Sequence, residues 1–182
     1  MDRAAIEELY AYTDFAWERL GKTIEKLSRE QFVDPVAGSG WPSVRRALLH
    51  VLNAYDGWLN EDKWGLGLHE APFPDVESWD DLYERIPDWK AVEPYRAKLR
   101  ATFRKALDVP DEELLAKQTF DLEFGPEELS RADVLTNLLL HERGHHGDLN
   151  TLFHQLGVKS MFVDYRFFVS KPTEFLEDVE EG

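Results

Sequence analysis

Apolar residues recur every three or four positions in four long stretches of the chain, and this spacing predicts four main helices. The predicted helices cover residues 2–27, 43–59, 92–107 and 130–156. Three of them open with aspartate or serine, which are preferred N-caps, and glycine or proline interrupts the chain between stretches. Each helix can bury one face against the others. Short connections between them therefore indicate an all-α fold, an antiparallel four-helix bundle.

The segments outside these helices carry weaker patterns. Residues 28–41 contain proline and glycine and predict a loop, whereas residues 78–86 predict a short helix. Residues 119–124 alternate polar and apolar before a Gly-Pro turn, which predicts a short strand or an extended connector. Residues 161–169 are apolar and aromatic, and we expect a short extended C-terminal arm laid back over the body.

Length and composition fit one domain over residues 1–182. The chain is 43% hydrophobic and 13% aromatic, which is enough for a packed core, and it contains no internal linker or repeat. The segment from Glu174 to Glu181 is strongly acidic. We expect the tail from about residue 171 to be solvated and frayed.

Charge and hydropathy restrict the partners. The net charge of −15 repels phosphate backbones, so nucleic acid is not expected to bind. No run approaches the roughly 20 apolar residues that span a bilayer, and the polar N-terminus lacks a signal segment. A cytoplasmic protein without a membrane partner is therefore expected.

The absence of cysteine restricts the chemistry. Disulfides, thiolate zinc sites and cysteine nucleophiles are excluded. Any metal ligand from this chain must come from histidine, aspartate, glutamate or a neutral oxygen.

Three histidines form the strongest candidate site. His141 and His145 are four residues apart, so on a helix both imidazoles lie on one face. His50 lies midway along the second predicted helix, in phase with its apolar stripe, and should face inward as a third ligand. Imidazole suits zinc, nickel, copper and iron. Three neutral histidines leave coordination positions open, as in a reactive metal site.

Other interpretations of the same residues stay open. A histidine that faces inward is more often a core residue held by hydrogen bonds than a metal ligand. Two histidines four residues apart in an apolar helix, however, would be costly to bury without partners. A metal-free module that binds a small apolar molecule is a second hypothesis, and an interaction protein that dimerises through its helices is a third. Residues 141–145 also match the H-E-x-x-H zinc peptidase motif, with Glu142 as general base. Thr151 stands where the extended motif needs another histidine, which disfavours a peptidase.

Acidic neighbours of the histidines are candidates for supporting roles. Glu142 is a candidate catalytic base if it reaches the open side of the metal, and otherwise a solvated helix residue. Asp148 is the second candidate catalytic residue, which could accept an N–H bond from a ligand imidazole or become a fourth ligand. Asn53 is a weaker candidate for the same supporting role.

The remaining histidines and the tryptophans are not assigned to the metal site. His146 is rotated by about 100° from the ligand pair and is expected at the surface or a dimer contact. His154 is on the opposite side of its helix, and His69 lies in a glycine-rich loop, so neither is assigned to the site. Three tryptophans are expected to pack in the core or to line an apolar pocket: Trp17, Trp58 and Trp64.

The sequence resembles the DinB-like (DinB/YfiT-type) family of metal-binding helical bundles. Residues 141–149 read HERGHHGDL, similar to the family's fourth-helix pattern of histidine, three residues, then His-Arg-Gly-Gln-Leu, and Leu-Gly follows at 156–157. Residues 163–168 are similar to its closing aspartate-aromatic stretch. The second helix matches the family pattern at Ser43, Leu48, His50, Trp58 and Leu59.

The resemblance spans about residues 27–168 and implies a bundle with one divalent metal, zinc or nickel first and iron next, held by His50, His141 and His145. It also implies a homodimer and a small-molecule substrate. Some members are transferases that use low-molecular-weight thiols, so a metal-dependent thiol S-transferase or a hydrolase is expected. Two positions depart from the pattern, because His146 replaces arginine and Asp148 replaces glutamine.

Overall fold

The computed structural model describes residues 1–62, 64–159 and 164–170. Within them the chain is mostly helical, with a small two-stranded sheet. The elements in chain order are α1 Arg3–Ile24, α2 Arg29–Val33, α3 Val44–Asn60, α4 Trp79–Arg85, α5 Trp89–Leu107, α6 Asp111–Leu115, β1 Lys117–Leu122, β2 Gly125–Ser130, α7 Arg131–Gln155 and α8 Tyr165–Ser170.

Side-chain caps fix where the four long helices begin. The side chains of Asp2, Ser43 and Ser130 each accept a backbone N–H from three residues further on, as the sequence predicts. Asp88 does the same for α5, which therefore starts at Trp89, three residues before the predicted start.

Helix α7 is the centre of the fold, because it packs against α1, α3 and α5. Its buried residues join those of the other long helices in one continuous apolar cluster. Leu135, Leu138 and Phe153 of α7 are fully buried there. Burial of this face is the main stabilising contribution to the fold. No described helix has the length and apolar character that crossing a membrane requires.

Two predictions about the connections need correction, and a third alternative is decided. The predicted loop 28–41 contains the short helix α2, which Ser28 and Gln31 cap reciprocally. Of the two alternatives for residues 119–124, the strand is the one observed: β1 pairs with β2 in an antiparallel hairpin, a small addition to a mostly helical fold, and Phe120 of β1 is buried in the core. Residues 165–170 are helical rather than extended, although they do lie against α1. Residues 161–163 and the acidic tail from 171 lie outside the described residues.

The segment after α3 folds back onto the end of that helix. The backbone N–H groups of Leu66 and Leu68 donate to the carbonyls of Trp58 and Leu59. The Trp64 ring packs directly on Gly57, and a Cβ at position 57 would have to displace that ring. This fold-back creates one wall of a cavity beside α3 and α5.

Loss of the α7 cap should destabilise the protein measurably. Ser130→Ala removes the acceptor for the Asp133 N–H, and we expect a decrease of about 1 kcal/mol in the free energy of unfolding. Urea denaturation followed by circular dichroism measures it. Asn137→Ala on the exposed face of the same helix is the control. Equal midpoints for the two variants would show that the cap does not contribute.

Candidate metal centre

Two packed helices bring the three predicted ligand histidines together. His141 and His145 come from the middle of α7, and His50 comes from α3, which packs on α7. The Nε2 atom of His141 lies 3.2 Å from that of His50 and 3.1 Å from that of His145. One ligand nitrogen from each residue lies within 4.8 Å of the other two. All three side chains are half-buried, so the cluster is shielded but accessible.

The donor set fits a transition-metal dication. Zinc–nitrogen bonds of about 2.0–2.1 Å in tetrahedral geometry separate neighbouring ligand nitrogens by about 3.3 Å, close to the two separations observed here. Hydrogen bonding explains the cluster less well. The Nε2 of His141 faces two other Nε2 atoms, and a single N–H can donate to one of them only. A cation at the centre would bind all three lone pairs at once.

The electrostatic environment keeps the imidazoles of His50 and His141 neutral. Burial, reinforced by the neighbouring histidines, lowers the pKa of His141 to about 4. Burial is also the main reason that the pKa of His50 is lowered. Both rings are therefore unprotonated at neutral pH, which is the form that binds a metal.

Asp148 and Trp41 hold the third imidazole in a defined orientation. The Nδ1 of His145 lies 2.8 Å from Asp148 Oδ2, and the Trp41 indole N–H donates to the same oxygen at 2.9 Å. Because the carboxylate accepts the Nδ1–H, the Nε2 of His145 keeps its lone pair for a metal. The hydrogen bond that the sequence analysis suggests, from a ligand imidazole to Asp148, is present in the structure.

Trp41 is the residue near the site that sequence reasoning missed. Its ring centroid lies 4.8 Å from that of His50 and 5.1 Å from that of His145, so the indole covers one side of the cluster. Trp41 precedes the cap of α3 by two residues. A bulky aromatic residue just before the start of a ligand-bearing helix is the signal that could have identified it.

Glu142 belongs to a different, fully buried cluster. Its side chain is 1% exposed, so the expectation of a solvated residue is wrong. The Tyr55 hydroxyl donates to Glu142 Oε2 at 2.6 Å, and the guanidinium groups of Arg100 and Arg96 lie at 3.6 and 3.8 Å. Burial alone would raise the pKa of Glu142, but these arginines and His146 hold it well below its usual value. None of the hydrogen bonds or ion pairs of Glu142 among the described residues involves His50, His141 or His145, which leaves the peptidase interpretation without support.

His146 is also buried, which corrects the expectation of a surface or dimer residue. It is 1% exposed, because its rotation from the ligand pair turns it toward α1, where its ring lies 6.3 Å from that of Trp17. Arg143 donates to its Nδ1 at 2.7 Å, so its Nε2 carries the proton and faces Glu142 at 3.4 Å. His146 thus lies between the charged side chains of Arg143 and Glu142 on its own helix.

The remaining candidates lie away from the histidine cluster. His154 and His69 are exposed, and His69 pairs with Asp62. Asn53 is exposed and lines a cavity that none of the three histidines lines. The three tryptophans do not form one pocket: Trp17 stacks on Trp89, whereas Trp58 and Trp64 meet edge to face.

Comparison with known proteins agrees with this arrangement of residues. The sequence profile of the DinB family matches residues 1–175 of the 182. The chain belongs to the DinB family. No curated protein matches the sequence significantly. Membership of the DinB family and the converging histidines together are consistent with a metal-binding helical protein.

In this DinB-family protein, loss of the Glu142 charge should affect stability rather than metal binding. Glu142→Gln leaves Arg100 and Arg96 with a weaker partner, and we expect the free energy of unfolding to fall by about 3 kcal/mol. Glu123→Gln in the exposed hairpin turn is the matched control. Denaturant unfolding and zinc titration are measured on each variant. Unchanged stability with a large loss of zinc affinity would place Glu142 in the metal site instead.

Removal of the support behind His145 should weaken metal binding without abolishing it. Trp41→Phe keeps the ring but loses the N–H, and Asp148→Asn keeps an acceptor but loses the charge. We expect zinc or nickel affinity to fall by about 10- to 100-fold in each variant. Competition with a chromophoric chelator measures it, with Asp121→Asn as the control for the charge change. Wild-type affinity in both variants would contradict the role assigned to this contact.

Proposed function

We propose that this protein binds one divalent transition metal through His50, His141 and His145 and uses it for catalysis on a small molecule. Zinc and nickel suit the all-imidazole set best, and iron is the next choice. The observation that carries the proposal is the convergence of three Nε2 atoms from two helices. Membership of the DinB family supports it. An antiparallel bundle of α1, α3, α5 and α7 is the scaffold proposed for the site.

The chemistry follows from a three-histidine site with open positions. A bound dication would supply Lewis acidity that lowers the pKa of a thiol or water nucleophile. The chain has no cysteine, so a thiol nucleophile must come from a small molecule. We therefore propose a metal-dependent thiol S-transferase, with hydrolysis as the alternative when water takes the place of the thiol.

The chain's own residues contribute orientation and shielding. Asp148 fixes the tautomer of His145 and is a positioning residue in this proposal, rather than a catalytic base. The Trp41 ring excludes water from one side of the cluster. The substrate must therefore approach from another side.

Partners and location complete the proposal. The substrate is a small molecule, the co-substrate is a low-molecular-weight thiol, and the protein works as a homodimer in the cytoplasm. The strong negative charge disfavours nucleic acid as a partner.

An activity assay on metal-loaded protein tests the proposed reaction. Wild type, His145→Ala and the exposed control His154→Ala are loaded with zinc or nickel and given cysteine with chlorodinitrobenzene, or a nitrophenyl ester without thiol. We expect metal-dependent thiol conjugation in wild type and His154→Ala, and at least a roughly tenfold loss in His145→Ala. Ester cleavage without conjugation would favour the hydrolase. If the metal-loaded protein catalyses neither reaction, both proposed activities are contradicted.

A further inference from the structure

A cavity of about 480 Å³ lies between the C-terminal half of α3, the segment that follows it and α5. Its volume is in the range of pockets that bind small molecules. It begins at Asn53, one helical turn beyond His50 on α3, but none of the three clustered histidines lines it. The cavity is therefore a separate feature from the candidate metal centre.

A half-buried carboxylate that has no counter-ion among the described residues lines this cavity. Asp56 accepts hydrogen bonds from the Asn60 amide at 2.7 Å, on Oδ1, and from the Tyr95 hydroxyl at 3.3 Å, on Oδ2. Both donors are neutral, and each carboxylate oxygen keeps a second lone pair. Within residues 1–62, 64–159 and 164–170, no lysine, arginine or histidine pairs with Asp56.

Asp56 differs in this respect from the other shielded carboxylates of the fold. Glu142 faces two arginines, and Asp14 pairs with the same Arg96 and Arg100. A shielded carboxylate without a cation is costly, and burial accordingly raises the pKa of Asp56. A cationic ligand in the cavity would remove this cost.

Aromatic rings surround the same space. Phe73 and Tyr95 have ring centroids 5.0 Å apart, and the Trp64 indole lies over Gly57 at the cavity wall. Aromatic faces attract cations and pack against apolar groups. Arg85 and Lys98 approach the Phe73 ring at 5.9 and 6.0 Å, but neither lines the cavity.

We propose that this cavity binds a small primary ammonium compound with an apolar body. The ammonium group donates N–H bonds to the free lone pairs of Asp56, and the apolar part packs against Phe73 and Tyr95. A primary ammonium fits better than a quaternary one, because the Asp56 oxygens offer acceptors that only an N–H can use. It also fits better than a metal dication, which requires several converging oxygen ligands, because the other two carboxylates of the cavity wall, Glu61 and Asp62, are exposed and Asp62 pairs with His69.

The binding of phenethylammonium chloride, measured by isothermal titration calorimetry on the full-length protein, tests this proposal. Phenethyl alcohol has nearly the same shape without the charge and is the matched ligand control. We expect phenethylammonium to bind with a dissociation constant of about 1 mM or tighter and the alcohol to bind at least about tenfold more weakly. Both measurements use wild-type protein, so they do not depend on any variant folding.

Two variants locate the binding site. Asp56→Asn keeps an acceptor oxygen but removes the charge, and we expect affinity for phenethylammonium to fall at least about tenfold. Asp121→Asn, in the exposed hairpin, changes the net charge equally and should bind like wild type. Circular dichroism confirms that each variant is folded.

Three outcomes would overturn the proposal: no binding of phenethylammonium up to about 10 mM, equal binding of the alcohol, or unchanged binding to folded Asp56→Asn. The inference does not rest on the metal centre. Binding should persist after chelator treatment and in His145→Ala, so its failure is distinguishable from failure of the proposed function.

Discussion

The burial of polar and charged side chains in the middle of α7 is the constraint on which the rest of the structure depends. Such groups are costly inside a core unless partners compensate them. Glu142 is compensated by Arg100 and Tyr55, and His146 by Arg143. The side of α7 that faces α3 differs, because there the histidine nitrogens meet only one another and, through His145, a single carboxylate. A metal ion bound there, as proposed, would supply this compensation.

The position of this centre also follows from packing. Its ligands come from long, capped helices whose apolar faces are buried, so the imidazoles are held by rigid elements. The cavity at Asp56 shares α3 with the candidate metal centre, and there too a shielded polar group has no charged partner among the described residues. The two proposals complete these groups in the same way, with a metal ion at the histidines and an ammonium group at Asp56.

Local patterns allowed much of this to be predicted from the sequence. The caps at Asp2, Ser43 and Ser130 and the apolar periodicity depend on neighbouring residues, so the helices could be placed closely. The spacing of His141 and His145 fixes their common face. His50 could be added because its phase along α3 is also a local property.

Features that depend on distant partners could not be predicted in this way. Glu142 resembles a solvated helix residue until Arg100, more than forty positions earlier, is seen to neutralise it. The strand β2 carries Glu127 and Glu128 on an exposed hairpin, so its polar sequence resembles a loop. Trp41 is in an irregular segment with no periodicity, so its place just before α3 is the one local signal, and the tertiary fold is needed to show that it lies over the histidines.

X-ray absorption spectroscopy of the zinc-reconstituted protein would test the central claim most directly. The account predicts one zinc per chain, with a first shell of about three imidazole nitrogens at roughly 2.0–2.1 Å and no sulfur. A protein that retains no zinc after dialysis would contradict it. So would a shell made mainly of carboxylate oxygens, because the metal would then be bound somewhere other than His50, His141 and His145.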